Sequence, residues 1–257
     1  MQTIAEIRAS LQAAHAEEYA VLARAFKSDP RKGVQQALES TRRRIVAEQA
    51  EIERVAELYR FQSTLGEGAI LGLDEVGRGP LAGPLTIGGV VLPDEPYILG
   101  LNDSKQIPEA KRPSIADEIR KVAKAFTIQH IEPNRIDELG IATCLRIAFT
   151  QAINDIERQG IKIGCIVLDG NPLHIDPREV NVVKGDAKCA SIAAASILAK
   201  VERDSLMLRY AEMYSSYGFE KNKGYGSGAH IDAITRYGLC PIHRRSFCHF
   251  EQQPTLF

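Results

Sequence analysis

A chain of 257 residues, 44% hydrophobic and 25% charged, is long enough to bury a complete core and suits one domain of moderate size with an appendage. A net charge of -1 excludes a uniformly basic nucleic-acid coat but leaves room for a local basic groove. No apolar run reaches the length of a membrane span and the start lacks a charged-then-apolar signal, so no membrane contact and a cytoplasmic location are expected. The five cysteines, Cys144, Cys165, Cys189, Cys240 and Cys248, are odd in number and scattered, which reads as reduced and mostly packing. Cys240-Pro-Ile-His243 and Cys248-His249 have spacings short enough for zinc, but no second Cys-x-x-Cys supports a site.

Residues 1 to about 65 are rich in Ala, Glu, Arg and Leu with Gly33 as the one glycine, and read as a separate helical unit of two or three helices. Thr3 with Glu6 predicts a capping box, and Asp29-Pro30 predicts the cap and first-turn proline of a long helix reaching about Arg60. Arg42-Arg43-Arg44 reads as a solvated face balanced by Glu39, Glu48 and Glu51 rather than a phosphate contact. Gly66-Glu67-Gly68 marks the boundary.

Next comes Gly72-Leu73-Asp74-Glu75-Val76-Gly77-Arg78-Gly79-Pro80-Leu81-Ala82-Gly83-Pro84, after the apolar Ala69, Ile70 and Leu71. Adjacent acids ending an apolar run are costly to desolvate unless donors or a cation compensate them, which makes Asp74 and Glu75 candidate metal ligands. Gly77 and Gly79 flank Arg78, so the backbone can approach a phosphate or sugar that Cβ atoms would hold away. Gly77, Gly79 and Ala82 also fit a dinucleotide fingerprint, but that motif must open a helix, and here Pro80 and Pro84 lead into a second strand over 85–92.

Leu101-Asn102-Asp103-Ser104-Lys105 follows, with Lys105 a candidate to reach the site, then a helix over 108–125, a third strand over 126–131 and a helix over 137–159. Strand 165–169 ends at Asp169, and strand 180–183 exits to Asp186 at the start of a helix over 187–216. Strand ends are where an open sheet builds its site, and three of them here carry acids. Singly, Asp169 could form only an Asx turn and Asp186 only a helix cap; with Asp74 and Glu75 they read as one cluster. The small-residue stretch Ser191–Lys200 should pack closely on the sheet. Lys221 to His230 is a basic, glycine-rich loop around Tyr225, suited to stacking on a sugar or base, before a helix over 230–237. With Lys221, Lys223, Arg236, Arg244 and Arg245, the positive field is expected near the C-terminus.

Asp74 through Pro84, Asp103-Ser104-Lys105, Leu168-Asp169-Gly170, Lys184-Gly185-Asp186, Ser191 through Asp204, Lys223-Gly224-Tyr225-Gly226 and His243-Arg244-Arg245-Ser246-Phe247 together resemble bacterial ribonuclease HII, in unbroken order over about 69–248. The resemblance implies an α/β, ribonuclease H-like fold: a five-stranded mixed sheet flanked by helices, here with a helical N-terminal extension. It implies an endonuclease that cuts the RNA strand of RNA/DNA hybrids and at single ribonucleotides in duplex DNA. Asp74, Glu75, Asp169 and Asp186 would then hold two divalent metals, Mn2+ or Mg2+. Gly77, Arg78 and Gly79 would read the 2′-hydroxyl, with Tyr225 at the sugar and Lys105 nearby. Two metals suit phosphodiester hydrolysis, and the 2′-hydroxyl is what separates ribose from deoxyribose. Asn222 stands where histidine is expected in many relatives, and Cys248-His249 replaces a proline-led ending. A monomer is expected. Residues 251–257 read as a flexible tail in which Gln253, Leu256 and Phe257 resemble the pentapeptide that docks bacterial repair proteins on the replication sliding clamp, set against a frayed terminus.

Overall fold

The computed structural model describes residues 2–249, so Gln253, Leu256 and Phe257 lie outside the described residues. The chain divides into two compact units, Met1–Ala56 and Glu57–Phe257. The first contains α1 (Ile4–Ala13), α2 (Ala16–Phe26) and most of α3 (Lys32–Ser63). Its capping box forms as the sequence indicates: the Glu6 amide donates to Thr3 Oγ1 (3.3 Å) and the Thr3 amide donates to Glu6 Oε2 (2.7 Å). Ile7 and Leu11 pack on Val34, Ala37 and Leu38. Arg42 and Arg43 share Glu39, Arg44 pairs with Glu48 and donates to Ala14 O, and Glu51 pairs with Arg54 instead, so the triplet is ion-paired within its own unit. Asp29 does not cap α3. Its carboxylate accepts from the Arg31 amide and guanidinium, closing a short turn that delays the helix to Lys32.

The second unit is built on a five-stranded sheet in the order β3-β2-β1-β4-β5. The strands are β1 (Ala69–Val76), β2 (Leu85–Val91), β3 (Ala125–Ile131), β4 (Ile163–Asp169) and β5 (Glu179–Val182). β2 runs antiparallel to β1 and β3, while β4 is parallel to β1 and β5 to β4, so β1, β4 and β5 release their C-terminal ends on the same edge. On one face Leu71, Leu73, Leu85, Ile87, Ile166 and Leu168 bury against α6 (Ile141–Arg158), chiefly through Leu145, Ala148, Phe149 and Ala152. Burying such side chains contributes about 1.5–3 kcal/mol each.

The opposite face carries α7 (Ala190–Met213) in backbone contact with the sheet. A Cβ on Gly72 would lie 2.3 Å from the Ser191 carbonyl carbon, and one on Gly88 would lie 2.3 Å from the Ala195 oxygen. The small-residue stretch of α7 therefore packs as the sequence indicates. Strand alternation puts Asp74 on this same α7 face as Gly72, and Asp169 with Val167 beside it.

Several helix boundaries differ from the sequence-based expectation for local reasons. The helix expected over 137–159 is two, α5 (Pro133–Leu139) and α6, because Gly140 takes φ +76° between them. The helix expected from Pro108 opens with a 3-10 turn, Glu109–Lys111, before α4 (Arg112–Val122). The start of α7 moves from 187 to Ala190, because Lys184 is left-handed and Gly185–Ala187 forms a 3-10 turn. Beyond α8 (Phe219–Asn222), α9 (Gly228–Tyr237) starts two residues early on a Ser227 cap that accepts from the His230 amide.

Candidate active site

The β1 and β4 exits lie side by side. Leu73 and Leu168 are paired across the parallel ladder, and each strand's next residue is an acid, Asp74 or Asp169. Asp186 joins them from the turn after β5: the Gly185 amide donates to Asp169 Oδ1 (2.6 Å), tying the two exits together. Asp169 thus spans two segments instead of closing a local turn. Nor does Asp186 cap α7. Gln62 does that, its Oε1 accepting from the Ser191 amide (2.7 Å).

Three of these carboxyls are held above their ordinary range. Burial, then the Glu75 charge, pushes Asp74 up to about 8, with Asp169 adding to the rise. Burial also raises Glu75 and Asp186; Asp169 pushes both the same way, and Lys105 opposes both. Arg78 lies 3.8 Å from Glu75. Lys105 is exposed at the edge of this acidic group, its amide donating to Asp103 Oδ1 (2.9 Å), and Asp103 adds to the rise on Asp186. The four sequence-derived acids and Lys105 are therefore brought together.

Such a cluster, destabilised by its own charge, has the donor chemistry of a hard divalent cation: oxygen ligands with no nitrogen or sulfur. Among the described residues no group of three donors is already drawn into a metal cage. Carboxylate oxygens are the ligands that suit an ion of the Mg2+ type, which keeps waters and takes part of its coordination from substrate phosphate.

Sequence reasoning missed what supports Asp74. Ser196 of α7 hydrogen-bonds its carboxyl and also pairs with Ser104 Oγ (2.9 Å). Both serines are buried. Ser104 sits between the acid Asp103 and Lys105, and Ser196 is a polar residue in an apolar helix stretch, which is the signal that could have found them.

The turn after β1 is held from behind by two arginines, each with 0% of its surface exposed. Arg203 donates to the carbonyls of Ala82, Pro84 and Lys223 (2.9–3.1 Å). Arg244 donates to those of Gly77, Arg78 and Gly83 (2.6–3.1 Å). Arg244 was expected in a basic surface field. It is instead an interior strut, because three carbonyls of a turn rich in glycine and proline need donors that the turn itself lacks.

Gly77 is required by its backbone, with φ +85° and the Arg203 Nε where a Cβ would stand. Gly79 differs: among the described residues nothing beyond its own chain neighbours lies within 4 Å of its missing Cβ, so the space it leaves opens outward. The Leu81 and Ala82 amides donate to Gly224 O (2.9 and 3.2 Å), which sets the Tyr225 loop against this turn. Tyr225 is 46% exposed, with the Arg203 guanidinium 5.9 Å from its ring centre.

Residues 71–250 match the family model Ribonuclease HII, and residues 3–66 match the Ribonuclease HII N-terminal domain. The chain is similar to the ribonuclease H2 of Pyrococcus horikoshii OT3, with 27% identity over 69% of this chain and 93% of that one, at a TM-score of 0.60. It is also similar to the RNase HII of Archaeoglobus fulgidus, solved in complex with PCNA, with 26% identity over 73% and 98% of the two chains at a TM-score of 0.62. A point mutant of Bst-RNase HIII shares the fold at 22% identity, covering 69% of this chain and 65% of that one, at a TM-score of 0.54. The ribonuclease H-like architecture expected from the sequence is thus found, and with an acidic, oxygen-only site at its strand exits the chain belongs to the ribonuclease HII family, a metal-dependent type 2 ribonuclease H acting on RNA/DNA hybrids.

Proposed function

We propose that this chain incises duplex DNA on the 5′ side of a single embedded ribonucleotide, as well as the RNA strand of hybrids, leaving 3′-hydroxyl and 5′-phosphate ends. The carrying observation is the pairing of two features on one edge of the sheet. Burial and the Asp169 charge raise the proton affinity of Asp74, Glu75 and Asp186, and beside these acids Gly79 presents its backbone to solvent.

Asp74, Glu75, Asp169 and Asp186 are the residues that would hold divalent metal, Mn2+ or Mg2+, two ions when substrate is bound. When bound, such ions supply an activated water and charge relief at the leaving oxygen. The remaining chemistry is the chain's own. Ser196 holds the Asp74 carboxyl in place, and Asp169 fixes the turn that carries Asp186. The amides of the Gly77-Arg78-Gly79 turn meet the 2′-hydroxyl, which gives ribose a partner that deoxyribose lacks. Arg78 and Lys105 bring positive charge to the scissile strand, and Tyr225 packs on the sugar. The helical N-terminal unit is read as an element that adds substrate affinity or stability.

The test is a ratio. Arg78→Ala and Tyr225→Ala should lower cleavage of a ribonucleotide-containing duplex relative to all-DNA binding measured by fluorescence anisotropy. Normal ribose discrimination in Tyr225→Ala would remove that residue from the reader. An all-DNA duplex cut as fast as the ribo-substituted one would favour a nuclease of related fold acting on DNA.

The tail residues Gln253, Leu256 and Phe257 are read as a sliding-clamp ligand, supported by their sequence and by the PCNA complex of the Archaeoglobus fulgidus relative. Unchanged binding to an immobilised clamp after deletion of 253–257 would end that reading.

A further inference from the structure

Behind the Tyr225 loop, two buried histidines meet ring to ring. His230 of α9 and His243 are 0% and 3% exposed, and their Nε2 atoms are 3.0 Å apart. The outer nitrogens are also engaged: His230 Nδ1 lies 2.9 Å from Tyr225 O, and the Cys240 amide donates to His243 Nδ1 at 2.9 Å. Aromatic rings of Tyr217 and Phe219 close over the pair. Among the described residues no carboxylate or guanidinium hydrogen-bonds to either ring, and burial depresses the proton affinity of both, that of His243 to about 4.

These contacts fix the tautomers. An amide N–H aimed at His243 Nδ1 makes that atom an acceptor, so the ring proton is on Nε2. It is donated to His230 Nε2, which must then be bare, leaving the His230 proton on Nδ1 to donate to Tyr225 O. The reversed neutral arrangement would bond His243 Nδ1 to the Cys240 carbonyl at a longer 3.3 Å. It would also set a bare His230 Nδ1 against the Tyr225 carbonyl, lone pair against lone pair. Only one neutral chain of donors is consistent with all three contacts.

We propose that His230 and His243 are positioning residues whose neutral hydrogen-bond relay holds the Tyr225 backbone, and with it the ring, in register with the Gly77–Gly79 turn. The segment carrying His243 is tied to that turn independently. His243 bridges Ala82, the Gly83 amide donates to Ile242 O (2.8 Å), and the next residue is Arg244, which holds the Gly77 and Arg78 carbonyls. One short stretch thus indexes both halves of the reader. The consequence for cleavage rests on the reading of Tyr225 as a sugar contact.

Two variants of the full chain separate positioning from packing. In His230→Asn the amide nitrogen takes the place of Nδ1 and retains the Tyr225 bond; in His230→Gln the amide reaches the Nε2 position and the Tyr225 bond is lost. With a duplex carrying one ribonucleotide, His230→Gln should lose about five- to tenfold in ribose discrimination, expressed mainly in KM, what loss of one hydrogen bond corresponds to. His230→Asn should lose less than about threefold, with similar melting of the two proteins. Long-range 15N–1H spectra of the unmodified protein without substrate should show His230 protonated at Nδ1 and His243 at Nε2. Equal discrimination by the two variants, or His230 protonated at Nε2, overturns the proposal. Correct tautomers with no effect of Tyr225→Ala on discrimination would instead overturn the sugar contact, so the two failures are told apart.

Discussion

Replacing Arg244 with methionine keeps the length of the side chain and removes its donors. Three carbonyls, those of Gly77, Arg78 and Gly83, then lose their partner, the bonds to Gly77 and Gly83 being buried and that to Arg78 partly so. Each unsatisfied buried group costs about 1–3 kcal/mol. Part of this is offset, because burial, then Arg203 nearby, holds the guanidinium down to about 9 and its removal relieves that penalty. The expected net loss is about 2–4 kcal/mol, large against a typical domain stability of about 5–15 kcal/mol but short of unfolding it. Urea unfolding of the full chain measures it. Because the freed carbonyls belong to the turn proposed to read the ribose, cleavage of a ribonucleotide-containing duplex should fall by more than DNA binding does. Arg244→Lys retains the charge but supplies no three-pronged fork, so it should recover stability better than ribose discrimination. A methionine variant within about 0.5 kcal/mol of the original, the range of an ordinary surface change, would refute the strut.

The two glycines of the turn should separate cleanly. Gly77→Ala forces a side chain onto φ +85° and into the Arg203 guanidinium, and should cost stability by thermal melting. Gly79→Ala meets no other segment among the described residues, so melting should stay within about 1 °C, the scale of a neutral surface change, while cleavage at the ribonucleotide falls. The acidic cluster predicts a pH dependence in EDTA. Asp74 has its folded pKa raised from 3.8 to about 8, so its contribution is most favourable below about pH 4 and is lost as pH rises toward 8. Asp74→Asn should therefore melt several degrees higher than the unmodified protein at pH 8, with the difference shrinking toward pH 5; about 1 kcal/mol corresponds to about 2–4 °C at this domain size. Adding Mn2+ should raise the melting temperature of the unmodified protein more than that of Asp74→Asn.

Asp74, Glu75 and Asp169 were legible in the sequence because they end apolar runs, where a carboxylate is costly unless a site explains it, and Asp186 because it lies just past a strand exit. The strands were legible for the same reason, since β-branched alternation reports burial directly. What escaped were residues whose type misleads. Arg244 read as surface charge and Arg203 was not singled out, yet both are interior because the turn they hold offers carbonyls without donors. His230 and His243 are 13 residues apart and give no local sign of meeting. Helix starts moved for local reasons, such as the left-handed Lys184 before α7 and the Ser227 cap of α9, while the Gln62 contact with the Ser191 amide spans 129 residues and lies in no local pattern.

The central claim, acids and ribose reader acting as one site, is tested most directly on an end-labelled DNA duplex with a single ribonucleotide. The lanes would carry Mg2+, Mn2+ or EDTA, with an all-DNA duplex and Asp74→Asn protein alongside. The expected product is a cut on the 5′ side of the ribonucleotide that needs metal, leaves a 3′-hydroxyl, and is absent from the all-DNA and Asp74→Asn lanes. Cleavage that persists in EDTA, or that Asp74→Asn carries out at the unmodified rate, would contradict it.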